Sequence, residues 1–142
     1  MKRNANLRDL SDDHHQALVI ARRANRAAAA DEGTQAEVWA EITRIFEPDL
    51  APHFAIEEQY VLPALERTHA HLVQRTLDDH VELRHLVCEA PYGLKERLAR
   101  FGSTLHDHVR FEERKLFPAF ETEAGDEALR RVAAACKRQR ES

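Results

Sequence analysis

The chain has 142 residues, 43% hydrophobic and 32% charged, with a formal net charge of −4. That length fits one domain with a real core, and the weak, mixed charge argues against a nucleic-acid-binding surface. No apolar run approaches the roughly 18 residues of a membrane span, no apolar leader opens the chain, and Cys88 and Cys136 form no CxxC pair. The expectation is therefore a cytoplasmic protein that binds neither membrane nor nucleic acid and has neither disulfides nor a thiolate metal site.

Alanine, leucine, glutamate and arginine abound while glycine and proline are scarce, so the chain reads as helical throughout, without strands. Leu7, Leu10, His14, Ala17, Ala21, Ala24 and Ala28 recur at spacings of three and four, which predicts a first helix that stops near Gly33. Val38, Ile42, Phe46, Asp49, His53, Glu57, Tyr60 and Ala64 predict a second, kinked or ended near Pro63. Leu72, Thr76, His80, Leu83 and Val87 mark a third, with Pro91-Tyr92-Gly93 as its turn out. Leu94, Leu98, Phe101, Leu105, His108, Glu112 and Ala119 mark a fourth, ending near Pro118. Short connections make an all-α, up-down-up-down antiparallel four-helix bundle over residues 1–125 the economical architecture. Residues 126–142 read as a C-terminal helical tail, a short fifth helix or a frayed end.

All four stripes carry a histidine where a Leu or Ile is expected, and two also carry a glutamate. Such a group is desolvated at a cost of several kcal/mol unless it is paired or binds a metal. One core histidine taken alone is better read as hydrogen-bonded; six such residues on four helices point to metal. The pattern HxxxEExxxxPAxE supports this. It runs from His53 through Glu57, Glu58, Pro63 and Ala64 to Glu66, and again from His108 through Glu112, Glu113, Pro118 and Ala119 to Glu121. The two copies are offset by 55 positions throughout. Helix residues four apart share a face, so each copy presents an imidazole beside a carboxylate. Asp12-Asp13-His14 and Asp78-Asp79-His80 form a second recurrence, which makes His14 and His80 equivalent ligands on the first and third helices. With a rise of about 1.5 Å per residue, mid-helix ligands in an antiparallel bundle fall at one level. The candidate ligands are His14, His53, Glu57, His80, His108 and Glu112, enough for two transition-metal ions.

His15 competes with His14, but the phase of Leu10, Ala17, Leu18 and Ala21 favours His14. Glu58 and Glu113 lie about 100° further round their helices and read as flanking polar residues, beside the ligands or simply solvated, with solvation preferred. Asp13 and Asp79 are too near in sequence to their own histidines to orient those rings. His69, His71, His85 and His106 fall off the stripes and read as surface residues. Tyr60 falls on the inner stripe near the site, with core packing as its simplest role.

With Asp13-His14, His53-xxx-Glu57 before Leu62-Pro63, His80, and His108-xxx-Glu112 before Phe117-Pro118, the chain resembles the haemerythrin-like family of His-His-Glu cation-binding domains over roughly residues 7–122. The resemblance implies a non-haem site of two iron ions, bridged by carboxylates and by an oxo or hydroxo group, with dioxygen or a related small ligand at an open position. Oxygen-carrying members have a second histidine four residues after the third-helix ligand, where this chain has Arg84. They also have an aspartate five residues after the fourth-helix histidine, where this chain has Glu112 at four. Fewer protein ligands leave a more open and symmetric site, suited to peroxide, nitric oxide or redox sensing, or to iron handling, rather than to reversible oxygen carriage. By donor chemistry, manganese and zinc are the competing ions. The preferred reading is a binding or sensing protein without catalysis. The alternatives are an iron-dependent enzyme acting on peroxide or nitric oxide, an iron donor for iron–sulfur repair, and a helical interaction module whose histidines are structural.

Overall fold

A computed structural model describes residues 2–142 and is helical almost throughout, with no strand among the described residues. Helix α1 spans Arg8–Ala28 behind a 3-10 turn over Ala5–Leu7. Its stripe from Leu7 to Ala28 is buried throughout. Helix α1 ends at Ala28, ahead of Gly33. The next helix has already begun there: Asp31 accepts from the Thr34 N–H at 2.7 Å and caps α2, Glu32–Ile45.

The second rod is a composite. A π-helical turn over Phe46–Leu50 follows α2, then α3 over Ala51–Ile56, a second π turn over Glu57–Val61 and a 3-10 turn over Leu62–Ala64. Each π turn holds one residue more than an α turn, so the buried phase slips by one. This corrects two sequence expectations. Leu50 is buried while Asp49 is exposed. Val61, Leu62 and Leu65 point inward, leaving Tyr60 and Ala64 only half-buried.

Helix α4 spans Ala70–Cys88. The turn after it places Ala90 (φ 46°) and Tyr92 (φ 68°) in the left-handed region, which Gly93 does not use. Helix α5 spans Leu94–Phe111, a third π turn covers Glu112–Leu116, and α6 covers Phe117–Glu123. The helical path therefore passes Pro118 rather than ending there. Pro118 lies in the first turn of α6, just after the π turn, where its missing N–H costs little. The π turns at Glu57–Val61 and Glu112–Leu116 share the 55-residue offset of the sequence repeat.

Helix α7, Asp126–Glu141, is a packed fifth helix rather than a frayed end. It buries Leu129, Val132, Ala135 and Cys136 in one apolar cluster with Leu7, Leu10, Val61, Leu65, Phe117 and Phe120. A second cluster, built on the alanines of α1, Phe46, Phe54, Leu83, Leu98, Phe101 and Leu105, fills the other end. The buried histidines, Glu57 and Glu112 lie between the two. Helix α1 packs most extensively on α5, with Gly102 at the closest approach. A Cβ there would sit 2.3 Å from Asn25 Oδ1 and 2.8 Å from the Ala21 carbonyl oxygen.

Candidate metal centre

The six candidate residues converge. His14, His53, His80 and His108 are each no more than 5% exposed, and Glu57 and Glu112 are fully buried. Two overlapping sets of donor atoms form, His14, His53, Glu57 and Glu112, and His80, His108, Glu57 and Glu112, each with its ligand atoms within 4.8 Å of one another. Both glutamates belong to both sets. Glu57 turns Oε1 to His80 Nε2 at 3.0 Å and Oε2 to His53 Nε2 at 3.0 Å. Glu112 turns Oε1 to His14 Nε2 at 2.9 Å and Oε2 to His108 Nε2 at 3.1 Å. Each carboxylate thus offers one oxygen to each set.

Every imidazole Nδ1 faces a further carboxylate. His14 Nδ1 donates to Glu113 at 2.7 Å, His53 to Asp13 at 3.0 Å, His80 to Glu58 at 2.7 Å and His108 to Asp79 at 2.9 Å. These acceptors require a proton on Nδ1 and leave Nε2 pointing inward. Carboxylate–imidazole pairs of this kind fix the tautomer and orientation of metal-binding histidines. Asp13 and Asp79 do orient rings, but each that of a histidine on another rod. Glu58 and Glu113 are likewise ring partners rather than solvated flanks. Glu113 is itself fixed by Ser11 Oγ at 2.8 Å and by Arg3, which also bonds its carbonyl at 2.7 Å. Sequence phase does not show which rings Asp13 and Asp79 reach, because their partners lie on different helices; the repeated Asp-His and Glu-Glu pairs are the visible sign of the outer set.

Phe117 stacks on His14 (5.3 Å, 9°) and Phe54 on His80 (4.1 Å, 20°), closing the site against water on those faces. The exposed position of His15 removes it from the cluster, as half-exposed or exposed positions remove His69, His71, His85 and His106. Tyr60 faces away from it: its hydroxyl accepts from Arg138 of α7 at 3.1 Å. Arg84 is exposed and places no donor at the centre.

Burial alone would push the imidazoles toward neutrality, but the carboxylates around them prevail. His14, His53 and His80 are raised above their ordinary value, and His108 is raised to about 10 by Glu112 and Asp79. Burial likewise opposes ionisation of Glu112, yet His108 and the neighbouring hydrogen bonds hold it well below the usual range. The pairing is incomplete. His53 Nε2, His108 Nε2, Glu57 Oε2 and Glu112 Oε2 are buried without a well-directed hydrogen bond. Imidazole nitrogens and carboxylate oxygens, aimed at shared points and several of them without a well-directed hydrogen bond, fit a pair of divalent or trivalent cations.

The hemerythrin HHE cation-binding domain model matches residues 6–120. The chain belongs to this family. The match covers the helices that carry the six buried His and Glu residues and stops before α7. No curated protein and no solved structure matches the chain significantly.

Proposed function

We propose that this haemerythrin-type domain is a non-haem di-iron protein that binds or senses oxygen or related redox species, or handles iron. One observation carries the reading: Glu57 and Glu112 each offer one oxygen to both histidine pairs, the arrangement expected of carboxylates shared by two ions. His14 and His53 would hold one ion, His80 and His108 the other. Bound iron would supply open positions for a small ligand such as dioxygen, peroxide or nitric oxide, together with one-electron redox capacity. The protein would supply neutral, oriented imidazoles, a dry surround and two compensating negative charges. The helix order and the packing of α1 on α2 and α5, and of α4 on α5, support an up-down-up-down antiparallel course. No described helix is long and apolar enough to cross a membrane, and both cysteines are free, which supports a cytoplasmic setting.

A second reading, an iron-dependent enzyme, is favoured by a cleft of about 740 Å³ that reaches His14, His53 and His108. Anaerobic loading with Fe(II), elemental analysis and optical titration with oxygen test the main reading. Two irons per chain and an absorption band from a bridged iron pair are expected. A ratio near one, or no iron, would remove the dinuclear site.

A further inference from the structure

The two halves of the site follow one repeated pattern, yet the large cleft borders them unequally, lined by both His14 and His53 of one pair and by His108 of the other. Two departures from the repeat account for it. The second rod carries the π turn at Phe46–Leu50 with Pro48, and Pro52 beyond it, whereas the corresponding part of α5 is unbroken helix with Ser103 and Asp107 at the equivalent places. Pro48, Leu50 and Pro52 of this stretch line the cleft. In addition, Phe54 covers His80, whereas the residue 55 positions on is the smaller Val109, which lines the cleft beside His14.

At about 740 Å³ the cleft lies within the roughly 300–1,000 Å³ of small-molecule sites. It is many times the volume of about 30 Å³ that a water molecule takes in the liquid. Its inner wall is apolar and buried: Ile20, Leu50, Phe54, Leu105 and Val109. At the outer end Val19 is 50% exposed. The charges on the lining are unbalanced. Asp9, Asp12, Asp13, Glu41 and Asp49 face Arg23 and Arg140, and both guanidinium groups are already paired, with Glu41 and Asp9. Asp12 and Asp49 are exposed and Asp13 holds His53, so the rim keeps negative charge free for a ligand. His53 and His108 also line it, their Nε2 atoms buried without a well-directed hydrogen bond, 3.0 Å from Glu57 Oε2 and 3.1 Å from Glu112 Oε2.

We propose that this cleft binds an apolar organic amine, its hydrocarbon body along Ile20, Leu50 and Leu105 and its ammonium group among Asp12, Asp13 and Asp49. This deepens the reading above by giving the di-iron site an organic ligand, but binding itself rests on the cleft alone. Titrating the iron-loaded protein calorimetrically with octylammonium, below its micelle concentration, tests it against octanoate of equal length. Octylammonium should saturate at one per chain, with octanoate at least about tenfold weaker. The double variant Asp12→Asn, Asp49→Asn should lose that preference. Val109→Phe should weaken both ligands by filling the inner end, and Val19→Trp, at a half-exposed position, should obstruct the mouth. Equal binding of the two ligands, no binding, or an unchanged preference in the Asn variant would overturn the proposal. Metal content, measured in parallel, separates the two readings. Octylammonium bound selectively by a chain that takes no iron leaves the cleft proposal standing and removes the di-iron one; iron at two per chain without amine binding does the reverse.

Discussion

Glu57 and Glu58 are adjacent, yet their carboxylates do different work. Glu57 is fully buried and faces both histidine pairs, whereas Glu58 is partly exposed and holds only His80 Nδ1. Glu57→Ala should therefore drop iron content below one per chain, because a shared ligand serves both ions. Glu58→Ala should keep the stoichiometry and weaken affinity by about 10–100-fold, the usual cost of losing a ring-orienting partner. Elemental analysis with a competing chelator distinguishes these outcomes. Loss of metal from Glu58→Ala alone would reverse the assignment. The same geometry makes metal uptake a proton exchange. His108, held up to about 10, is charged at neutral pH in the metal-free protein, and the other three imidazoles are also raised. Ligation requires neutral imidazole, so loading near pH 7 should release protons. Calorimetry in two buffers of different ionisation enthalpy reads the number; a heat independent of buffer would show that the imidazoles were neutral beforehand.

At the scale of helices, the site depends on α1 and α5 lying very close. The stripe Ala17, Ala21, Ala24 and Ala28 on α1 meets Gly102 on α5, where an added methyl group would strike the Ala21 carbonyl and the Asn25 amide. Alanine is intrinsically the better helix former by roughly 0.5–1 kcal/mol. Overpacking against a backbone atom costs about 1–3 kcal/mol and should win. Gly102→Ala is therefore expected to lower the melting temperature, and because α5 carries His108 and leads into Glu112, which faces His14 of α1, to reduce metal affinity as well. A melting temperature equal to or above wild type would mean that the two helices separate freely. The π turns belong to this scale too. At Glu57–Val61 and Glu112–Leu116 they let a rod place His and Glu inward and still bury Val61, Leu62, Leu116 and Phe117 beyond them.

For the whole molecule, the buried charges set how stability changes with pH. The four imidazoles are raised above 6.5, so the stability they lend the metal-free protein is fully present below about 6.5 and is lost as pH rises through their folded values, about 10 for His108. Glu112 is lowered from 4.5, so its contribution is present above that value and lost in acid as pH falls through its folded value. The metal-free melting temperature should thus fall steadily from pH 6.5 toward 10. The gain on adding Fe(II) should grow over the same range, since protons then compete less with metal. His14→Ala should lose much of that gain and His15→Ala should keep it. Thermal scans with and without metal across pH check all three. An equal metal-induced gain in wild type and His14→Ala would remove His14 from the centre. The metal-free protein should remain helical, since the two apolar clusters do not depend on the site.

The helical class and the six inward polar residues were legible in the chain alone. Each of these is a property of one helix, written in a 3.6-residue rhythm, and the 55-residue repeat doubled the signal. The tertiary structure decided what depends on neighbours. Sequence phase could not show that Asp13 would reach His53 or that Asp79 would reach His108, because helix packing chooses those partners. It placed Tyr60 and Asp49 on the inner stripe because a π turn adds a residue without leaving a mark in hydrophobic spacing. The cleft beside His14 is bordered by the π turn with Pro48 and by one smaller side chain, Val109, features that share a space only once α1, α3 and α7 surround it.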